Sequence, residues 1–211
     1  MTLAERGRLP GLLLGLLPTL LLAACTNFHV VEAGRFYRSA QVNRHQLERW
    51  IDKYDLKTVV SLRGGSPNNP DLVASRTAAA NKGIRFVQHK LRARRYPTKA
   101  ELLGLWKIFA DGDYPMLVHC QSGVDRSGLA SGLYLLWRTD DLDQAEEQLD
   151  FIPYWHTGWF GSYKLDRVFE MYRPFHGTLS FPEWVEQEYK NPDKPDQQAH
   201  EQPRLHPRPA A

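Results

Sequence analysis

The stretch "VHCQSGVDRSGLASG", Val118 to Gly132, decides how the rest of the chain is read. It joins the end of an apolar run, "YPMLVHC", to "RSGLASGLYLLWR", whose apolar positions recur at helical spacing. Between them lies a short loop containing Gly123, so the pattern predicts a buried strand, a tight turn over Gln121 to Asp125 and a helix opening at Arg126. Backbone N–H groups at the start of a helix have no intrahelical partner, and the helix dipole adds positive potential, so such a turn is a built anion site. A glycine lets the backbone curl tightly around the anion. Arg126, six positions after Cys120, can grip two anion oxygens with its planar guanidinium. Cys120 itself has two readings: a small buried hydrophobe at a strand end, or a nucleophile favoured as thiolate by the amides and by Arg126.

The flanking sequence sets the fold class. "GRFYRSAQ" (Gly34 to Gln41) reads as a short aromatic strand or turn, "KTVVSLR" (Lys57 to Arg63) as a buried strand, and "IRFVQHKL" (Ile84 to Leu91) as an alternating one. Helices are expected between them: Asn43 with Gln46 opens one that runs to Tyr54, Pro70 begins another ending before Gly83, and Thr98 with Glu101 forms a capping box. Strands alternating with helices predict an α/β fold, with a central, mostly parallel sheet of four to five strands flanked by helices. After Trp137 only helices are expected, giving a helical C-terminal part. The aromatic-rich "FIPYWHTGWF" lies between two of them, and Tyr154, Trp155, Trp159, Phe160 and Tyr163 are expected to pack a C-terminal helix onto the core, the alternatives being that they line a pocket or recognise a membrane surface.

His119-Cys120-Gln121-Ser122-Gly123-Val124-Asp125-Arg126-Ser127-Gly128 resembles the H-C-x5-R-[S/T]-G signature of the cysteine-dependent protein tyrosine and dual-specificity phosphatases. The dual-specificity branch, including bacterial periplasmic enzymes, is the nearest match. "GRFYRSAQ" and "LKTVVSLRGG" also resemble the opening segments of its atypical bacterial and fungal members, so the likeness runs from about Gly34 to Trp137. The resemblance implies that Cys120 attacks phosphorus to give a phosphocysteine, that Arg126 binds the equatorial oxygens, and that Ser127 stabilises the thiolate when phosphate leaves. Gln121, Ser122, Gly123 and Val124 would supply the substrate-binding amides, and His119 would buttress the loop from behind. No metal and no organic cofactor is implied. Each role also agrees with elementary chemistry, since a thiolate is a competent nucleophile and preorganised donors meet the negative charge spread over the transferring group.

One part of the family pattern is missing. The leaving group needs a proton, which these phosphatases take from an aspartate on the loop after the preceding strand. Here that loop is "RARRYPTK", with Arg92, Arg94 and Arg95 and no carboxylate before Glu101. Asp125 is the candidate replacement, as in myotubularin-type lipid phosphatases; the competing reading is that it only orients Arg126 or the loop. The arginines, if they lie on the cleft rim, would favour a polyanionic substrate such as a phosphoinositide, inositol polyphosphate or phosphorylated sugar; the competing reading is a plain solvated charge run. Phosphotyrosine is the expected substrate class, with phosphoserine and phosphothreonine beside it; a lipid or inositol phosphate phosphatase and a non-catalytic phosphate-binding module are the alternatives.

The two ends of the chain bear on location. Arg6 and Arg8 precede an apolar run that ends in small residues, the layout of a secretory signal. Leu22-Ala23-Ala24-Cys25 resembles a bacterial lipobox, which implies acylation of Cys25 and a lipid tether to the membrane, with Thr26 at the next position pointing to the outer membrane. Cys25 and Cys120 are the only cysteines, so Cys120 would be a lone thiol in an oxidising periplasm. A net charge of +3 on 211 residues gives no reason to expect nucleic acid as a partner, leaving a phosphoprotein or a small phosphorylated compound. The expected organisation is a leader over 1–24, a tether over 25–33, the phosphatase domain over 34–175, a C-terminal helix over 176–190 and a proline-rich tail without fixed structure over 191–211.

Overall fold

The computed structural model describes residues 26–194. The leader, Cys25 and the tail beyond Lys194 lie outside the described residues. Five strands, β1 (His29–Glu32), β2 (Phe36–Ser39), β3 (Thr58–Ser61), β4 (Arg85–Gln88) and β5 (Met116–His119), form one sheet in the order β1-β2-β5-β3-β4. β1 pairs antiparallel with β2, while β2–β5, β5–β3 and β3–β4 are parallel. Among the described residues seven α-helices surround it: α1 (Arg44–Lys53), α2 (Pro70–Asn81), α3 (Lys99–Asp111), α4 (Asp125–Thr139), α5 (Leu142–Glu147), α6 (Tyr163–Tyr172) and α7 (Phe181–Gln187). The mostly parallel sheet expected from the alternating pattern is therefore present.

Local chemistry accounts for most of the element boundaries. Asn43 caps α1 by accepting from the Gln46 amide, and Asn69 with Pro70 opens α2. Thr98 and Glu101 complete a reciprocal capping box on α3, and Gly83, at φ +65°, turns the chain after α2. α4 carries Gly128 and Gly132, which cost about 1 kcal/mol each in helix propensity relative to alanine. Its Leu129, Leu133 and Leu136 are almost fully buried, at about 1.5–3 kcal/mol apiece, so burial outweighs propensity. The glycines are there for close approach: a Cβ on Gly128 would stand 2.8 Å from the Gln148 carbonyl oxygen, and one on Gly132 2.4 Å from that of Ala145.

Two boundaries differ from the sequence reading. Residues 29–32, assigned to a tether, are an edge strand held by the β2 ladder. Asn191, assigned to the tail, is buried, and its side-chain amide donates to the carbonyls of Tyr96 and Pro97, while the Asp193 carboxylate accepts from the Tyr96 amide and pairs with Lys164. Both segments lack apolar periodicity; residues 29–32 are ordered by antiparallel pairing with the adjacent β2, and Asn191 by hydrogen bonds to backbone 94 and 95 positions away. Among the described residues no helix is long and apolar enough to cross a membrane.

Candidate active site

Because β2, β3, β4 and β5 are parallel, the loops that follow them emerge at one end of the sheet, where ligands of open α/β sheets bind. β5 lies between β2 and β3, so the loop Cys120–Val124 sits between the segment after β2 and that after β3. The Cys120 amide donates to the Ser39 carbonyl, and the Leu62 amide to that of His119.

Every carbonyl from Gln121 to Val124 is taken by a donor. That of Gln121 accepts from the Gln41 amide at 3.2 Å, and that of Ser122 from the side-chain amide of Asn27 at 3.2 Å. Gly123 O accepts from Asn27 at 2.9 Å and from Arg38 at 3.1 Å, and Val124 O from Arg38 at 2.8 Å and the Gly128 amide at 2.9 Å. Carbonyls held in this way leave the opposite ends of the same peptide units, the N–H groups, for the concave side of the loop. Gly123, at φ +70°, is required twice over: a side chain there would be strained, and its Cβ would stand 2.5 Å from the Ala40 amide nitrogen.

The Cys120 sulfur lies at the base of this cup, 1% exposed as a residue, accepting from the Gly123 amide at 3.2 Å and within 3.5 Å of Ser127 Oγ. Arg126, at the start of α4, has a buried Nε without a partner among the described residues, and its Nη1 makes only a long 3.5 Å contact to the Leu62 carbonyl. A guanidinium so placed is unsatisfied until an anion arrives. His119 is buried, and burial above all pushes its imidazole down to about 4, with smaller contributions from Arg63 and Arg126 in the same direction. It is neutral at physiological pH, as a packing side chain beneath the loop should be.

Three further residues were not singled out from the sequence. Arg38 is fully buried on β2, donates also to the Gln148 carbonyl at 2.7 Å and lies over the Tyr154 ring at 4.2 Å. Burial lowers it to about 10, with Tyr154, Cys120 and Asp125 opposing that shift, so it is charged at pH 7. The available signal was an arginine in a strand at the same parity as the inward-facing Phe36. Asn27 lay in a segment assigned to the tether. His156 is the third: its Nδ1 is 2.8 Å from Asp125 and its Nε2 2.9 Å from Asp166. Burial opposes its protonation, but the hydrogen bonds to Asp125 and Asp166 more than offset it and raise the ring to about 9, making it an imidazolium clamped between two carboxylates. The structure thus places the Asp125 carboxylate on a neighbouring cation, which suits the orienting reading better than that of a free proton donor.

The arginine loop does reach the cleft. Gly64, Lys90, Arg92, Arg94 and Arg95 line an open groove together with Arg126. The packing expected of the aromatic segment is not found: Trp155, Trp159, Phe160 and Tyr163 are 63, 71, 80 and 49% exposed, as is the neighbouring Ile152 at 78%, and the helix is packed onto the core instead by Leu165, Val168, Phe169 and Trp184. Of the five aromatics expected to pack, Tyr154 turns inward, against Arg38, and His156 in the same segment is buried.

A cupped C-x5-R loop at the carboxyl end of a parallel sheet defines the class as phosphatases of the tyrosine and dual-specificity type. The family model described as DSP-PTPase phosphatase fused to NAD+ kinase matches residues 26–152, more than half of the chain, and the chain belongs to that family. Among solved structures, the core catalytic domain of the PP-IP phosphatase SIW14 from S. cerevisiae is 18% identical with a TM-score of 0.55, over 69% of this chain and 84% of that one. PTPMT1 is 16% identical at 0.52, over 67% and 92%, and Tk-PTP in its active form 18% identical at 0.53, over 68% and 95%. At these identities the likeness is one of fold. No curated protein matches the sequence.

Proposed function

We propose that the chain hydrolyses phosphate monoesters through a phosphocysteine intermediate and that its substrate carries several negative charges. Cys120 Sγ forms the S–P bond as the ester P–O bond breaks, and the departing oxygen takes up a proton from solvent water in the groove beside Arg126. The loop amides and Arg126 hold the three non-bridging oxygens. Water then cleaves the S–P bond, releasing inorganic phosphate, and Ser127 Oγ donates toward the returning thiolate. One observation carries this reading: all four carbonyls from Gln121 to Val124 are taken by donors, with the sulfur at the base and the guanidinium unsatisfied beside it. Turnover of para-nitrophenyl phosphate that is abolished in Cys120→Ser supports it; no turnover by the wild-type chain overturns it, and so does turnover unaffected by the substitution.

The substrate class rests on the groove, where Lys90, Arg92, Arg94 and Arg95 surround the approach to Arg126. A polyanionic monoester, an inositol phosphate or a phosphorylated lipid headgroup, fits that rim better than a peptide phosphotyrosine does. Side-by-side kcat/KM values for phosphotyrosine peptides and for inositol phosphates distinguish the two, and a higher value on the peptides would refute the polyanion assignment. We further propose that the chain is exported and tethered through an acylated Cys25, which intact-mass measurement of membrane-extracted protein tests directly.

A further inference from the structure

The exposed aromatic segment is not isolated from the cleft. The Arg94 guanidinium lies 5.7 Å from the Phe160 ring centroid, and a Cβ on Gly161 would touch the Arg94 backbone, so the segment abuts the arginine loop. At its other end the Tyr154 carbonyl accepts from Asn27, the residue that also holds the phosphate loop. Exposed Trp and Phe beside clustered arginines is the composition that settles at the boundary of an anionic bilayer, rings at the level of the headgroups and guanidinium groups on lipid phosphates. Apolar side chains this exposed, all within residues 152–160 and beside a site, mark an interaction surface.

We infer that Ile152, Trp155, Trp159 and Phe160, together with Arg94 and Arg95, form a surface that docks onto an anionic membrane and holds the catalytic groove at the headgroup layer. The proposal deepens the polyanion and tether readings, because Thr26 and Asn27 lie on the same side: the Ala40 amide donates to the Thr26 carbonyl at 2.7 Å, within the network of the phosphate loop. Cys25, the proposed point of lipid attachment, directly precedes Thr26 in the sequence.

The leader contains no tryptophan, and of the six in the chain Trp155 and Trp159 are exposed, Trp106 and Trp137 half-buried and Trp50 and Trp184 buried, so intrinsic fluorescence reports the folded part whatever the leader does. Full-length Cys25→Ser protein is mixed with phosphatidylglycerol–phosphatidylcholine vesicles whose acyl chains are brominated. Docking predicts quenching of tryptophan emission, at least fivefold less quenching in Trp155→Phe/Trp159→Phe, and weakening in 0.5 M salt or on pure phosphatidylcholine. The same double substitution leaves turnover of para-nitrophenyl phosphate in solution within twofold. Co-sedimentation without quenching means that only the leader binds, and it overturns the proposal; so does quenching that persists in the double variant. Loss of turnover in solution by the parent would instead strike at the proposed catalysis and leave the docking result standing.

Discussion

Arg38→Met removes the donor that holds the phosphate loop open while keeping an apolar stem on β2. In the wild type the guanidinium serves the carbonyls of Gly123, Val124 and Gln148, and Asn27 shares only the first. A buried acceptor left unpaired costs about 1–3 kcal/mol, and the Gln148 carbonyl and part of the Val124 pairing are lost together, so the gross cost is about 3–5 kcal/mol. Burying the guanidinium also carries a desolvation penalty, visible in its depressed ionisation near 10, and the variant escapes it. The expected net loss is therefore about 2–3 kcal/mol, against a typical domain stability of about 5–15 kcal/mol, so the variant folds and melts roughly 4–12 °C lower. Catalysis suffers more than stability. Once its carbonyls are released, the loop relaxes toward peptide orientations that point oxygen into the cup, and losing one preorganised donor costs about 100-fold to 1000-fold in rate. Circular dichroism melts combined with para-nitrophenyl phosphate kinetics measure both quantities, and inhibition by inorganic phosphate should weaken in parallel with kcat/KM. A folded Arg38→Met with kcat/KM and phosphate inhibition within threefold of wild type would refute the idea that Arg38 shapes the cup.

Gly123→Ala should be more damaging to catalysis than to folding, with kcat/KM down by about 100-fold or more, because the φ of +70° and the 2.5 Å approach to Ala40 both force the loop to move; phosphate titration by isothermal calorimetry should show the lost anion site directly. His156 links stability to pH: its folded-state value near 9 lies above the unfolded 6.5, so its contribution is complete below about pH 6.5 and is lost as pH rises through 9. The melting temperature of the wild type should therefore fall between pH 7 and 10, and His156→Asn should flatten that slope while costing about 1–3 kcal/mol at pH 7, the carboxylates of Asp125 and Asp166 being left without their shared cation. Asp125→Asn should lower turnover of aryl and alkyl phosphates by similar factors, as loss of an orienting contact does; a selective loss on alkyl phosphates, whose leaving group needs the proton, would restore Asp125 as the acid.

The sequence by itself determined the local part of this protein. Capping at Asn43 and Thr98, the apolar strands around Val59 and Leu117, and the C-x5-R loop at a strand-to-helix junction are set by neighbours within a few residues, so pattern and spacing expose them. The anion cup was legible for the same reason, since a glycine turn feeding a helix dictates where its amides point. Only the tertiary structure decided what surrounds the cup. Asn27 reaches Gly123 across 96 positions, Arg38 reaches it across 85, and His156 reaches Asp125 across 31, separations at which sequence pattern carries no distance information. The sheet order places β5 between β2 and β3, and it is this placement that brings Arg38 beneath the loop and Arg94 to its rim. The packing expected of the aromatic segment fails for a related reason: hydrophobicity predicts burial only when a face is available to cover it, and here the core is already closed by α6 and α7, leaving Trp159 and Phe160 outside beside the arginines.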